Sequence, residues 1–155
     1  MALECVKSNK NEEIMVTNEK EILELIPSGI TSPEEILHII KSGKIKSNHI
    51  ALIKSLINCN NTTIAFWLNI DIKIYRKYIS SEIEISNEFQ EHIVMLLSVI
   101  KHGINFWRSE KDFRLWLLKE NFYLDWKKPS DYLNTISGIC FIDTMLTNME
   151  YGNNA

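Results

Sequence analysis

For most of its length, this chain spaces its hydrophobic and polar positions at helical rather than strand intervals. The first apolar stripe is Ile22, Leu23, Leu25 and Ile26, inside an otherwise polar and acidic opening. Pro27-Ser28-Gly29 breaks it. Residues 1–29 are therefore expected to form a loose acidic tail with room for one short helix. Ser32-Pro33-Glu34-Glu35 then combines a cap, a proline suited to the first helical position and the acidic member of a capping box. Ile36, Ile39 and Ile40 give that helix one apolar face, and Gly43 ends it. Ser47 opens a second helix, with Ile50, Ile53 and Ile57 on one side. Asn61 or Thr62 caps a short third helix through Ile64, Ala65, Trp67 and Leu68. Asn69 suits a left-handed turn, and Asp71 caps the next helix, which runs to Tyr78. Helix, tight turn, helix is the plan of a helix-turn-helix unit. Ile72, Tyr75 and Ile79 are expected as its core face.

Ile83 and Ile85 alternate with Glu82 and Glu84, which fits a connector or a short strand. Ser86 caps the longest helix. Its Phe89, Ile93, Leu96, Ile100 and Ile104 recur at intervals of four, three, four and four, and Gly103 predicts a bend or an early stop. Ser109 to Asp112 is another capping box, opening a helix that buries Phe113, Trp116 and Leu117. Residues 121–128 read as a loop holding Phe122, Tyr123, Leu124 and Trp126. Pro129 starts a helical turn with Tyr132 and Leu133. A last helix near 138–149 presents Ile139, Ile142, Met145, Leu146 and Met149. The pattern predicts an all-α protein in three parts: residues 1–29, 30–86 and 87–155.

Composition agrees. Hydrophobic residues at 45% and charged residues at 24% favour a packed chain over a disordered one. Five glycines and three prolines are too few to punctuate a sandwich or barrel. The net charge of −3 divides unevenly. Residues 1–29 hold three Lys and six Glu; residues 30–86 hold seven basic and five acidic residues; residues 87–155 hold seven basic and nine acidic. Only the middle block has the sign that phosphates attract. Cys5, Cys59 and Cys140 are odd in number and widely spaced, which reads as reduced thiols rather than disulfides or a zinc set. No apolar run reaches the ~18 residues of a membrane span, and Glu4, Lys7 and Lys10 interrupt any signal-peptide core. A cytoplasmic location is expected.

Candidate chemistry is sparse. None of His38, His49, His92 and His102 lies four residues from another, so no metal spacing emerges and no cofactor is expected. No Ser or Cys sits in a nucleophile elbow, and Asp131 and Asp143 read as surface carboxylates of helical turns. An enzyme is not expected. Asn60-Asn61-Thr62-Thr63 matches a glycosylation triplet, but helix capping explains it. Binding is the better theme. Lys73, Arg76 and Lys77 offer cations to a nucleic-acid backbone, and Thr62 and Thr63 at the preceding helix start could hold a phosphate. The alternative is a solvated face on a scaffold. Phe122, Tyr123 and Trp126, in a loop rather than on a helical stripe, are hard to bury and suggest a partner interface.

Residues 87–152 resemble the toxin-binding domain of the Xre/MbcA/ParS antitoxins. The resemblance lies in Phe106, Ser109-Glu110, Trp116-Leu117, the Asn121-to-Leu124 segment, Lys128-Pro129, Tyr132-Leu133, Gly138, Leu146 and Glu150-Tyr151-Gly152. Residues 64–78 resemble the Xre-like helix-turn-helix through Ile64-Ala65, Leu68-Asn69-Ile70-Asp71 and Lys77-Tyr78. Asn69 replaces the usual Gly, and Ile74 replaces the usual Thr, which removes a DNA hydrogen bond. Residues 1–29 fall outside the resemblance. It implies an antitoxin dimer that covers the active-site entrance of a cognate toxin, most often a RES-family NAD-degrading enzyme, and represses its own operon through operator DNA. Trp126, Lys128, Tyr132, Glu150, Tyr151 and Gly152 are then the expected toxin contacts, while Trp116, Leu133 and Leu146 hold the domain together. Two other readings stand beside it: a stand-alone helix-turn-helix regulator, and an adaptor without a toxin.

Overall fold

The computed structural model describes residues 18–30 and 32–152 of the chain. Residues 1–17, most of the expected tail, lie outside the described residues, as does Cys5. Residues 18–24 are helical (α1). There follow α2 (Pro33–Lys41), α3 (Ser47–Ile57), α4 (Asn61–Trp67), α5 (Ile72–Ile79), α6 (Asn87–Trp107), α7 (Glu110–Leu117) and α8 (Ile136–Glu150). Two short 3-10 turns, Phe122–Leu124 and Pro129–Tyr132, connect α7 to α8. The described residues are all-helical; Ile83 and Ile85 form no strand, and the sole β-type pairing is an isolated bridge between Asn121 and Lys127.

Local chemistry starts these helices where side-chain oxygens can take up otherwise orphaned amides. Ser32, Asp71, Ser86, Ser109 and Thr135 all accept from amides of the following turn. The cap of α4 is Asn60, one residue before the expected position. Its Oδ1 accepts the Thr63 amide at 2.8 Å, which sets the helix start at Asn61. Asn69 turns the chain at φ 53°.

At the centre stands α6, packed against α2, α3, α7 and α8. His92 through Ile100 are all buried, so the middle of the helix is enclosed on every side rather than lying on one stripe. Gly103 does not end it, since α6 runs on to Trp107. A Cβ there would collide with the Phe113 ring of α7, and Phe113 is fully buried. The glycine makes room for close packing between two helices. Of the expected core face, Tyr75 is buried and Ile72 packs against the core, but Ile79 is 40% exposed; Tyr78 turns inward and stacks on Phe89 at 4.5 Å. One continuous core runs from Ile26 to Leu146.

Where described, residues 18–29 depart from the expected loose tail. Ile26 is buried, and Ile22, Leu23 and Leu25 pack against the core. The Lys101 ammonium donates to the carbonyls of Leu23 (2.9 Å) and Ile26 (2.7 Å), at the end of α1 where a cation is favoured. The Gly29 amide donates to the Ser98 carbonyl at 3.0 Å. Lys101→Met should remove about 2 kcal/mol of local anchoring. Faster trypsin cleavage at Lys20, with the midpoint of global unfolding little changed, would reveal it. Equal cleavage rates in both proteins would mean that the apolar contacts alone hold the segment.

Candidate functional site

The connector between α7 and α8 carries three exposed aromatic side chains. Asn121 builds it. Its Oδ1 accepts from the Tyr123 amide, its carbonyl accepts from Leu124 and Trp126, and its amide donates to the Lys127 carbonyl. Leu124 is buried and anchors the turn. Asp125 and Trp126 both hold left-handed backbone, at φ 52° and 64°. A tryptophan there costs on the order of 1 kcal/mol or more and persists only where its surroundings enforce it. The knot of backbone bonds supplies that enforcement. It turns Phe122, Tyr123 and Trp126 outward at 67%, 58% and 63% exposure. The Phe122 ring meets Tyr123 and Trp126 edge-on, with centroids 5.6 and 5.7 Å away. The result is a fixed aromatic cluster in solvent, the outcome that the loop position predicts.

Lys127 and Lys128 follow, both exposed. The Lys128 amide donates to Asp131 Oδ2 at 3.1 Å, which starts the second 3-10 turn. Tyr132 is half-buried, its ring 5.4 Å from that of Phe141. This turn sits tightly on the start of α8: a Cβ on Gly138 would overlap the Tyr132 carbonyl oxygen. Tyr132 therefore lies against the N-terminal end of α8, with Lys128 and Trp126 just before it in the chain. Glu150, Tyr151 and Gly152 lie at its other end, roughly 20 Å away at the helical rise per residue. The six expected contacts form two groups rather than one. Tyr151 is 80% exposed. Glu150 is not free; its carboxylate meets His102 Nε2 at 3.1 Å.

Two residues sit where the sequence does not predict them, and others go unnoticed in it. Asp143, read as a surface carboxylate, is buried and bonded to His102 Nδ1 at 2.7 Å. Trp116, expected in the core, is half-buried, its ring 5.1 Å from that of Trp107. The Thr63 amide is taken up by the Asn60 cap at 2.8 Å, and Thr62 is exposed beside it. The missed residues are Phe141, exposed beside Tyr132, and Leu115 on α7 and Leu118 at its C-terminal cap, exposed around an open apolar pocket with Trp107 and Trp116. Each lies off the apolar stripe of its helix, which is the signal that could have found it.

Lys73, Arg76 and Lys77 are all exposed on α5, and their i, i+3, i+4 spacing puts them on one face. Behind them the Tyr75 hydroxyl donates to Asn61 Oδ1 at 3.4 Å, tying α5 to α4. Among the other titratable groups, burial pushes the Cys59 thiol up to about 11, so it stays protonated and weakly nucleophilic at neutral pH. Burial lowers His92, against the carbonyls of Leu133 and Trp67 that favour its charged form. Among the described residues, no group of three His, Cys, Asp or Glu side chains could hold a metal, and no helix is long and apolar enough to cross a membrane. No protein-family model matches the chain, and no curated protein matches it.

Proposed function

We propose that this protein is an antitoxin that binds a cognate toxin enzyme through the aromatic connector and stops turnover by covering its active-site entrance. The observation that carries the reading is the exposure of Phe122, Tyr123 and Trp126 on a turn held by four backbone hydrogen bonds and the Asn121 side chain. Large aromatics held in fixed geometry supply binding area at low entropic cost. Tyr132, Lys128 and Phe141 extend that surface, while Tyr151 and Gly152 form a second contact at the far end of α8. The inhibition asks no chemistry of this chain, which acts without enzymatic activity of its own. The toxin expected from the sequence resemblance is a RES-type enzyme that degrades NAD.

Co-expression of the tagged chain with the product of its adjacent open reading frame tests this. The expected result is a co-eluting enzyme whose NAD consumption is suppressed. An enzyme that stays apart, or that co-elutes while turnover proceeds unhindered, overturns it.

Operator binding is a second reading, favoured by the single exposed face of Lys73, Arg76 and Lys77. Retardation of the chain's own promoter DNA should weaken steeply with salt, and Arg76→Ala together with Lys77→Ala should flatten that slope by about two. Salt-independent or absent retardation, with and without toxin, removes this role and leaves a protein-binding adaptor. A dimer accords with operator binding, and equilibrium sedimentation of the free chain measures it.

A further inference from the structure

A neutral imidazole has one N–H and one lone pair, so it can donate to one carboxylate but repels a second. His102, buried on α6, faces a carboxylate at each ring nitrogen. Nδ1 lies 2.7 Å from Asp143 Oδ1 and Nε2 lies 3.1 Å from Glu150 Oε1. Only the imidazolium donates to both. We propose that His102 is a proton-operated latch that locks the last turn of α8, and with it the exposed Tyr151, onto α6. The proposal rests on reading that end of the chain as a partner contact, and it adds the regulation of that contact.

The two carboxylates are unequal, and this decides which one lets go. Asp143 is buried, and its second oxygen accepts the Ile30 amide at 3.0 Å. The backbone of Gly29 covers the pair so closely that a Cβ there would lie 3.1 Å from His102 Nδ1 and 3.2 Å from Asp143 Oδ1. The Asp143 side chain is only 11% exposed, so water reaches it far less than it reaches Glu150. The Glu150 side chain is 42% exposed and ends the helix, so water can replace the ring. When the ring loses its proton, the remaining hydrogen stays on Nδ1 with Asp143. The Nε2 lone pair then faces the Glu150 carboxylate, and the last turn is released.

The charged groups around the ring agree. On α8, Asp143 and Glu150 act on it directly, and Cys140 feels Asp143. On α6 itself, the Lys101 ammonium is engaged by the Leu23 and Ile26 carbonyls. The 29–30 segment offers backbone only. Among the described residues of α2, α3 and α7, no charged group acts on the ring. The hydrogen bond to Asp143 raises the His102 value above the ordinary 6.5 against the opposing effect of burial; the hydrogen bond to Glu150 and the two negative charges raise it further. A raised folded-state value means that the latch is fully shut below the unfolded value of about 6.5 and opens as pH climbs through the folded one.

The test uses the full chain without a partner. Ring nitrogen NMR between about pH 5.5 and 9 should show both His102 nitrogens protonated at the acid end, with a midpoint above that of an ordinary histidine. Amide exchange in the last turn of α8, corrected for intrinsic base catalysis, should accelerate roughly tenfold across that midpoint. Glu150→Gln should lower the midpoint and abolish the step, with far-UV circular dichroism unchanged. A midpoint at or below 6.5, or the same midpoint and step in Glu150→Gln, overturns the latch. Because no partner is present, a working latch in a chain that captures no toxin would count against the antitoxin reading alone.

Discussion

Gly103→Ala should destabilise the protein by about 2 kcal/mol, although alanine in a helix interior ordinarily gains about 1 kcal/mol over glycine. The sign reverses because the new methyl group would enter the Phe113 ring, which is fully buried and already stacked among Trp107 and Trp116. Relief must come from Phe113 moving, and a close-packed core gives little room. Urea unfolding of Gly103→Ala, Phe113→Leu and the double variant forms the cycle that measures this. Phe113→Leu alone should cost about 1–2 kcal/mol, and the pair should recover about 1 kcal/mol relative to the sum. A Gly103→Ala protein more resistant to urea than the parent would show that α6 and α7 do not meet as described.

Replacing Phe122 and Trp126 together with alanine should weaken capture of the toxin by more than about 30-fold, the loss that marks an interface hot spot. Folding stability should move by no more than about 1 kcal/mol, since both side chains are mostly in solvent. Release of Trp126 from its left-handed backbone does not relax the strain, because alanine shares the same preference. Trp126→Gly should therefore stabilise the loop slightly while still losing affinity. Tyr151→Ala, at the far end of α8, should cost less than the pair. Titration calorimetry with the co-purified toxin gives all three numbers. Unchanged affinity in the double variant would remove the aromatic connector from the interface and, with it, the main support for toxin binding.

The sequence alone establishes what neighbouring residues determine among themselves. Ser32, Asp71, Ser86 and Ser109 announce their helices because a cap needs only its own oxygen and the amides of the next turn. The turn at Asn69 is legible because few other side chains tolerate left-handed backbone. The stripes of α2, α3 and α6 are legible because apolar spacing is a local pattern. Even the outward aromatics of residues 122–126 follow from their place outside any stripe. What spans the chain is not legible. Nothing near His102 marks it as the partner of Asp143, 41 residues later. Nothing near Gly103 announces Phe113. The acidic opening looks loose until Lys101, Ser98 and Asp143 give its backbone somewhere to bond. The gap between Trp126 and Tyr151 appears only once α8 is seen to separate them. Helix and turn are decided within a few residues, where the backbone meets its own side chains. Burial, pairing of charges and the shape of a surface are decided by residues that meet only after the chain has closed on itself, and tertiary structure alone settles those.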